Sequence, residues 1–183
     1  LRSNRMIKKF FEKNRYQTPT LYKYSQALSK FTTTEEHIYQ KVDDYEVLDD
    51  ASRDLRKARR QFKTIKDEIQ DKLMKFLRSP KNKPMIQDVL IVEKQGSITV
   101  PIKASYKFKV PGTIVDQSSN GQTVYIELDL VAKLNEKRAF QKAVIESESY
   151  QILAELTSEL SEQRTSILNA IDAVTMFDII FAR

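Results

Sequence analysis

The sequence predicts a mainly α, α+β protein. It reads as a long antiparallel, coiled-coil-like helical arm on a helical base, with a small four-stranded antiparallel β module inserted near the tip of the arm. Three observations predict this. Apolar residues recur at alternating three- and four-residue steps over 55–76 and again over 153–181, the pattern of helices packed along a seam. Between these stretches, over 98–110, the apolar period switches to two, the signature of a strand. No Pro or Gly follows Gly121, so no strong breaker interrupts a helix in the remainder.

In residues 1–14, Met6, Ile7, Phe10 and Phe11 stand at helical spacing and read as a helix packing on a base. Pro19 suits the first turn of a second helix, with Leu21, Tyr24 and Leu28 on one face. Thr33, followed three residues later by Glu36, has the form of a capping box opening a short helix through Val42. The acidic connection 43–50 lacks the ligand spacing of a calcium loop, and its Val47 and Leu48 read as anchors. Ser52 is the expected N-cap of a long helix whose seam is Leu55, Ala58, Phe62, Ile65, Ile69 and Phe76, interrupted at Lys72 with Leu73 beside it. That helix should end near Arg78, before Ser79-Pro80; some 27 residues at about 1.5 Å each reach roughly 40 Å.

Ile98, Val100, Ile102, Ala104, Tyr106, Phe108 and Val110 alternate with Thr99, Pro101, Lys103, Ser105, Lys107 and Lys109. The alternation predicts one strand with an apolar face and a basic, polar face. Pro101 cannot donate to a ladder and belongs at an edge or bulge. Asp88–Lys94 is expected to be a second strand, joined through the two-residue hairpin Gln95-Gly96. Pro111-Gly112 suggests a type II turn, and strands Thr113–Ser118 and Gln122–Leu128 follow, joined around Asn120-Gly121. After Leu130 the seam resumes, with Leu153, Leu156, Leu160, Gln163, Ile167, Ala170, Val174, Phe177 and Phe181 at the same steps. A single helix of roughly 50 residues, about 75 Å long, is expected. Its first half would pair with 52–78 and its second half with the N-terminal helices. The expected division is therefore 1–50 and 161–183 as helical base, 51–79 and 129–160 as arm helices, and 80–128 as β module.

The chain opens at Leu1 and ends inside a helical pattern at Phe181-Ala182-Arg183, so both ends read as cut from a longer polypeptide. There is no signal peptide and no apolar run near the roughly 18 residues a membrane span needs. The absence of cysteine removes disulfides and thiolate metal sites and fits a cytoplasmic protein. The lone histidine, His37, lies beside Glu35 and Glu36 and reads as a surface residue. Zinc sites and Ser-His-Asp catalysis lack their parts. No catalytic residue, metal ligand or cofactor-binding residue is expected.

Of the net charge of +6, the distribution says more than the total. Residues 51–78 hold ten Lys/Arg against four Asp/Glu, and residues 79–112 hold six Lys against two acids. Residues 128–183 reverse the balance, with six basic and nine acidic. Lys103, Lys107 and Lys109, projecting from one strand face, with Lys94, Lys81 and Lys83 nearby, are the candidate nucleic-acid contacts. Long cations on one surface hold phosphates without reading sequence, and no helix-turn-helix or zinc finger is present to read bases. The alternative is that these lysines blunt a strand edge. Arg53, Arg56, Lys57, Arg59, Arg60, Lys63 and Lys66 read as partners of Glu146, Glu148, Glu155 and Glu159 across the helical seam, with nucleic-acid contact as the alternative. Tyr106 and Phe108, on the apolar strand face, read as core and not as base-stacking residues.

The run Val100-Pro101-Ile102-Lys103-Ala104, then Val110-Pro111-Gly112, Asp116-Gln117-Ser118, Gly121, Thr123 and Ile126-Glu127, resembles the clamp region of the second bacterial MutS family, MutS-II. Glu46-Val47-Leu48-Asp49, with Ala51-Ser52 and Leu55-Arg56, resembles the start of that family's lever helix, and Leu77-Arg78-Ser79 resembles its end. Val115, Leu128 and Tyr45 depart from the family's usual His, Pro and Gly at those positions. The resemblance implies a core, lever and clamp segment of a homodimeric ATPase that acts on branched DNA and suppresses recombination. Action on collided ribosomes through ribosomal RNA is the alternative it also implies. ATP and Mg, and a small Smr-type endonuclease domain, are expected in the parent protein outside this segment. The chain has no GxxxxGK[ST] run, so this segment is not expected to be an enzyme.

Overall fold

A computed structural model of the chain describes residues 1–26 and 28–182. Ala27 and Arg183, both inside the expected helical base, lie outside the described residues. The helices are α1 (Arg2–Lys13), α2 (Pro19–Ser25), α3 (Thr32–Lys41), α4 (Arg53–Arg78), α5 (Asp129–Glu162) and α6 (Arg164–Phe181). The strands are β1 (Val92–Lys94), β2 (Ser97–Lys103), β3 (Gly112–Gln117) and β4 (Thr123–Leu128). They form one antiparallel sheet in the order β1-β2-β4-β3. The chain is thus mainly α with a four-stranded sheet, the predicted class. Among the described residues no helix is long and apolar enough to cross a membrane. Two compact units are present, Leu1–Ser52 with Ser149–Arg183, and Arg53–Glu148.

In the first unit Phe11 of α1 is buried and stacks on Phe177 of α6, ring centroids 4.9 Å apart, with Leu28 completing the cluster. Ile7, Leu21 and Val174 pack around it. The Thr33–Glu36 capping box does not form, because α3 begins two residues early with Phe31 in the cap position. The neighbouring residues are drawn inward instead. Glu35 is buried and pairs with Arg5 Nε at 2.9 Å, while Thr34 Oγ1 accepts from Gln163 Nε2 at 2.7 Å. Gln163 also marks a correction, since the expected single C-terminal helix breaks there into α5 and α6. Its backbone leaves helical geometry at φ −97° and ψ 8°. Neither Pro nor Gly causes this; the side-chain bond to α3 is the visible constraint.

In the second unit α4 buries Leu55, Ala58, Ile69, Leu73 and Leu77. From Ile69 the buried positions advance four at a time, turning the apolar stripe by about 40° per step. The stripe therefore passes to Leu73 and Leu77, which join the sheet's core, and leaves Phe76 half-buried. Lys72, beside the stripe, pairs with Glu68 at 3.0 Å. Val100, Ile102, Val124, Ile126 and Leu128 project from one sheet face into this core, together with Val131 at the start of α5.

Three strand expectations are corrected. The strand predicted over 98–110 ends at Lys103, giving way to a 3-10 turn at Ala104–Tyr106. The strand predicted from Asp88 begins only at Val92. Residues 85–87 also lie along β2, with Lys103 N–H donating to Met85 C=O at 2.9 Å and Gln87 N–H to Pro101 C=O at 3.1 Å. Pro101 C=O faces this side, so its nitrogen does too, where an N–H is missing from the ladder. The β1 pairing stops at Thr99 and the 85–87 pairing resumes beyond it, so Pro101 sits at the interruption. Finally, Pro111-Gly112 is not a type II turn, because Gly112 is extended and opens β3 opposite Leu128.

Both expected hairpins form. Gln95 and Gly96 take φ 48° and 82°, the left-handed pair that a two-residue hairpin between Lys94 and Ser97 requires. Asn120-Gly121 closes the β3–β4 hairpin, with Gly121 N–H donating to Ser118 C=O at 2.9 Å.

Candidate nucleic-acid interface

The sheet register decides which lysines meet. Lys103 ends β2 opposite Thr123, the first residue of β4, and Ala104 N–H donates to Gln122 C=O at 2.9 Å. Met85, on the far side of Lys103, brings the 79–85 turn to the same end of the sheet. The 79–85 turn, Lys103 and the β3–β4 hairpin therefore meet, whereas 104–111 leads back to the opposite end, where Gly112 pairs with Leu128 and Pro111 C=O accepts from Asp129 N–H. Lys81, Lys83 and Lys103 belong to that first end, and Lys107 and Lys109 to the connection that leads away from it. Lys81, Lys83, Lys107 and Lys109 are exposed, and Lys103 is half-buried. The arrangement differs from the predicted one. Lys107 and Lys109 do not share a strand face with Lys103, because the strand has ended; they belong to the turn that follows it.

Lys94 stands apart from the other five. Its Nζ lies 3.1 Å from Asp116 Oδ2 and 4.5 Å from the centre of the Tyr125 ring, so its charge is engaged on the sheet's outer face. Asp116 is held below the usual carboxylate range, first by the Gln117 N–H at 2.8 Å and then by Lys94.

The turn after β2 presents a group that the alternation pattern hid. Tyr106 packs on the sheet's core and Val110 is buried, yet Phe108 between them is 88% exposed. Lys107 Nζ lies 4.9 Å from the Phe108 ring centre, and Lys109 Nζ 5.3 Å from that of Tyr106. Strand length was the available signal: a run over 98–110 exceeds the usual three to ten residues, whereas the expected partner strands are about half as long.

Helix α5 fixes the other end of the sheet. Asn135 is buried, accepting from Ile98 N–H and donating to Ile98 C=O, both at 3.1 Å. Arg138, also buried, donates to both Glu93 oxygens at 3.2 and 3.0 Å and to Gly96 C=O at 2.6 Å. The guanidinium holds Glu93 below the usual carboxylate range, aided by Lys142 and Lys66.

Elsewhere the pairing differs from expectation. Glu155 meets Lys41 at 3.2 Å and Glu159 meets His37 Nδ1 at 2.6 Å, so side chains of α3 meet two acids assigned to the basic run of α4. In the acidic connection, Asp43 Oδ1 accepts from the Tyr45 and Glu46 N–H groups, which lower its pKa, and Val47 is buried. Among the described residues no group of three or more acids and histidines converges as a metal site.

No family model matches the chain. Curated relatives do. The chain is 30% identical over 185 aligned residues, 99% of its length, to the Endonuclease MutS2 of Geobacillus sp. (strain WCH70). It is 32% identical over its whole length to the Endonuclease MutS2 of Pelotomaculum thermopropionicum, and 37% identical over 78% of its length to that of Lachnospira eligens. It spans about a quarter of the first of these relatives, 24%, and 23% and 18% of the other two. The chain is therefore homologous, over nearly its full length, to one segment of the second MutS family.

Proposed function

We propose that this chain is the core, lever and clamp segment of a MutS-like ATPase, and that it contacts nucleic acid through phosphates without reading sequence. Residues 1–50 and 161–183 would serve as core, 51–79 and 129–160 as lever helices, and 80–128 as clamp. One observation carries the reading. The 79–85 turn brings Lys81 and Lys83 to the end of the sheet where Lys103 closes β2, and Lys107 and Lys109 follow on the exposed connection that leaves it. Solubility alone needs no such convergence. Lys81, Lys83, Lys103, Lys107 and Lys109 are the assigned contacts, while Lys94, already paired, orders the sheet face beside them.

Branched DNA is the proposed ligand, in a homodimeric, cytoplasmic parent protein that binds ATP and Mg outside this segment. The relatives' printed name, endonuclease, places a nuclease activity in those longer proteins, and we assign it to the missing part here as well.

Binding of the 183-residue chain to duplex DNA, a four-way junction and ribosomal RNA across a salt series tests the reading. Affinity should fall steeply with salt, with a log–log slope of about −0.9 per phosphate neutralised on duplex DNA. No binding at low salt would overturn it. Preference for ribosomal RNA in matched competition would replace DNA with the ribosome as the target.

A further inference from the structure

We propose that Phe108 is a base-stacking residue, held at the crown of an anchored turn so that its ring meets an unpaired base while Lys107 and Lys109 reach the flanking phosphates. The proposal rests on the nucleic-acid reading above and extends it to a ligand class: strands that carry an unpaired base, in preference to continuous duplex.

The turn is built to raise one ring. Its two feet are fixed, Tyr106 against the core and Val110 at 4% exposure. Lys107 N–H donates to Ala104 C=O at 3.3 Å and Lys109 N–H to Tyr106 C=O at 2.8 Å, which closes the backbone between them. Phe108, at the crown, leaves a phenyl ring in water and gives up the transfer free energy its burial would supply. A ring presented on an already closed turn loses little further freedom when something stacks on it.

The ring's surroundings select the ligand. Lys107 Nζ covers one face of Phe108 at 4.9 Å, so a planar partner can take the other face with a cation behind the ring. Every base offers such a π-face, and one exposed ring serves one base. Residues 103–110 carry three lysines and no carboxylate, so phosphates beside the ring meet attraction from its own turn. In continuous duplex the base faces are already stacked on one another, and the ring would have to unstack a step to gain a partner. An unpaired base imposes a smaller cost. A lipid headgroup layer or an apolar protein pocket would also accept an exposed phenyl ring, and these are rival outcomes.

The test uses the 183-residue chain, a continuous DNA duplex, and the same duplex carrying one unpaired base, compared by fluorescence anisotropy at fixed salt. The chain should bind the bulged duplex about tenfold more tightly, the order of one base–aromatic stack. Phe108→Ala should abolish that preference while leaving duplex affinity within about twofold, and Phe108→Tyr should retain it. Equal affinity of the unsubstituted chain for both duplexes, or a preference surviving in Phe108→Ala, would overturn the stacking role and leave the phosphate reading intact. Failure to bind either duplex at low salt, with or without binding to anionic vesicles, would overturn both.

Discussion

Arg138 has its side chain almost wholly removed from water, 4% exposed, and spends its two terminal nitrogens on the β1–β2 hairpin. Its guanidinium carbon lies 5.9 Å from the centre of the Phe62 ring of α4. Arg138→Met keeps the stem's bulk and removes the bonds. The expected cost is roughly 2 kcal/mol, since bonds to a charged partner are worth more than neutral ones, measured as a lower urea midpoint. The same pair gives a pH dependence. Glu93 has a folded pKa below its ordinary value of about 4.3, so its contribution is complete above that value and is lost as pH falls through the lowered one. Glu93→Gln should therefore lose less stability than the unsubstituted chain on acidification below about pH 4.3. Equal losses in thermal melts of the two would show that the ion pair adds nothing. Glu93 and Arg138 lie 45 residues apart, and no periodicity links them.

At the scale of elements, α4 and the two hairpins were legible because their signals are local: a stripe at helical spacing, Gln95-Gly96 and Asn120-Gly121. The end of β2 was not. Alternation continues through Val110, but a strand lasts only as long as it has partners, and β4 begins opposite Lys103. The break at Gln163 coincides with a bond to Thr34, 129 residues away. Gly112 was legible as a special position, though for another reason than a turn. A Cβ there would run into the Glu127 carbonyl oxygen and lie 2.7 Å from Ile126 Cγ2. Gly112→Ala should therefore force β3 away from β4 and cost about 2 kcal/mol, the scale of overpacking. A chemical-denaturation midpoint unchanged by the substitution would show that the strands yield freely.

For the whole molecule the question is whether total charge or its placement holds the nucleic acid. Lys103→Glu, Lys107→Glu and Lys109→Glu together replace three positive charges by three negative ones and take the net charge from +6 to 0. Lys9→Glu, Lys13→Glu and Lys23→Glu, at exposed positions of α1 and α2, do the same. Placement predicts that the first set abolishes most DNA affinity and flattens its salt dependence by about three contacts. The second should cost far less. Equal losses, read by anisotropy in both variants, would reduce the interface to non-specific attraction by a basic protein.

The sequence alone determined the mainly helical class, the four strands, the resemblance to the second MutS family and the concentration of lysine in the middle of the chain. Those depend on residue type and short-range spacing, which the chain carries wherever it folds. Tertiary structure decided which lysines meet, that Lys94 is already paired, and that Phe108 faces water. Each follows from strand register and strand length, set by pairing between residues far apart, and one residue of register or one missing partner moves a side chain from core to solvent.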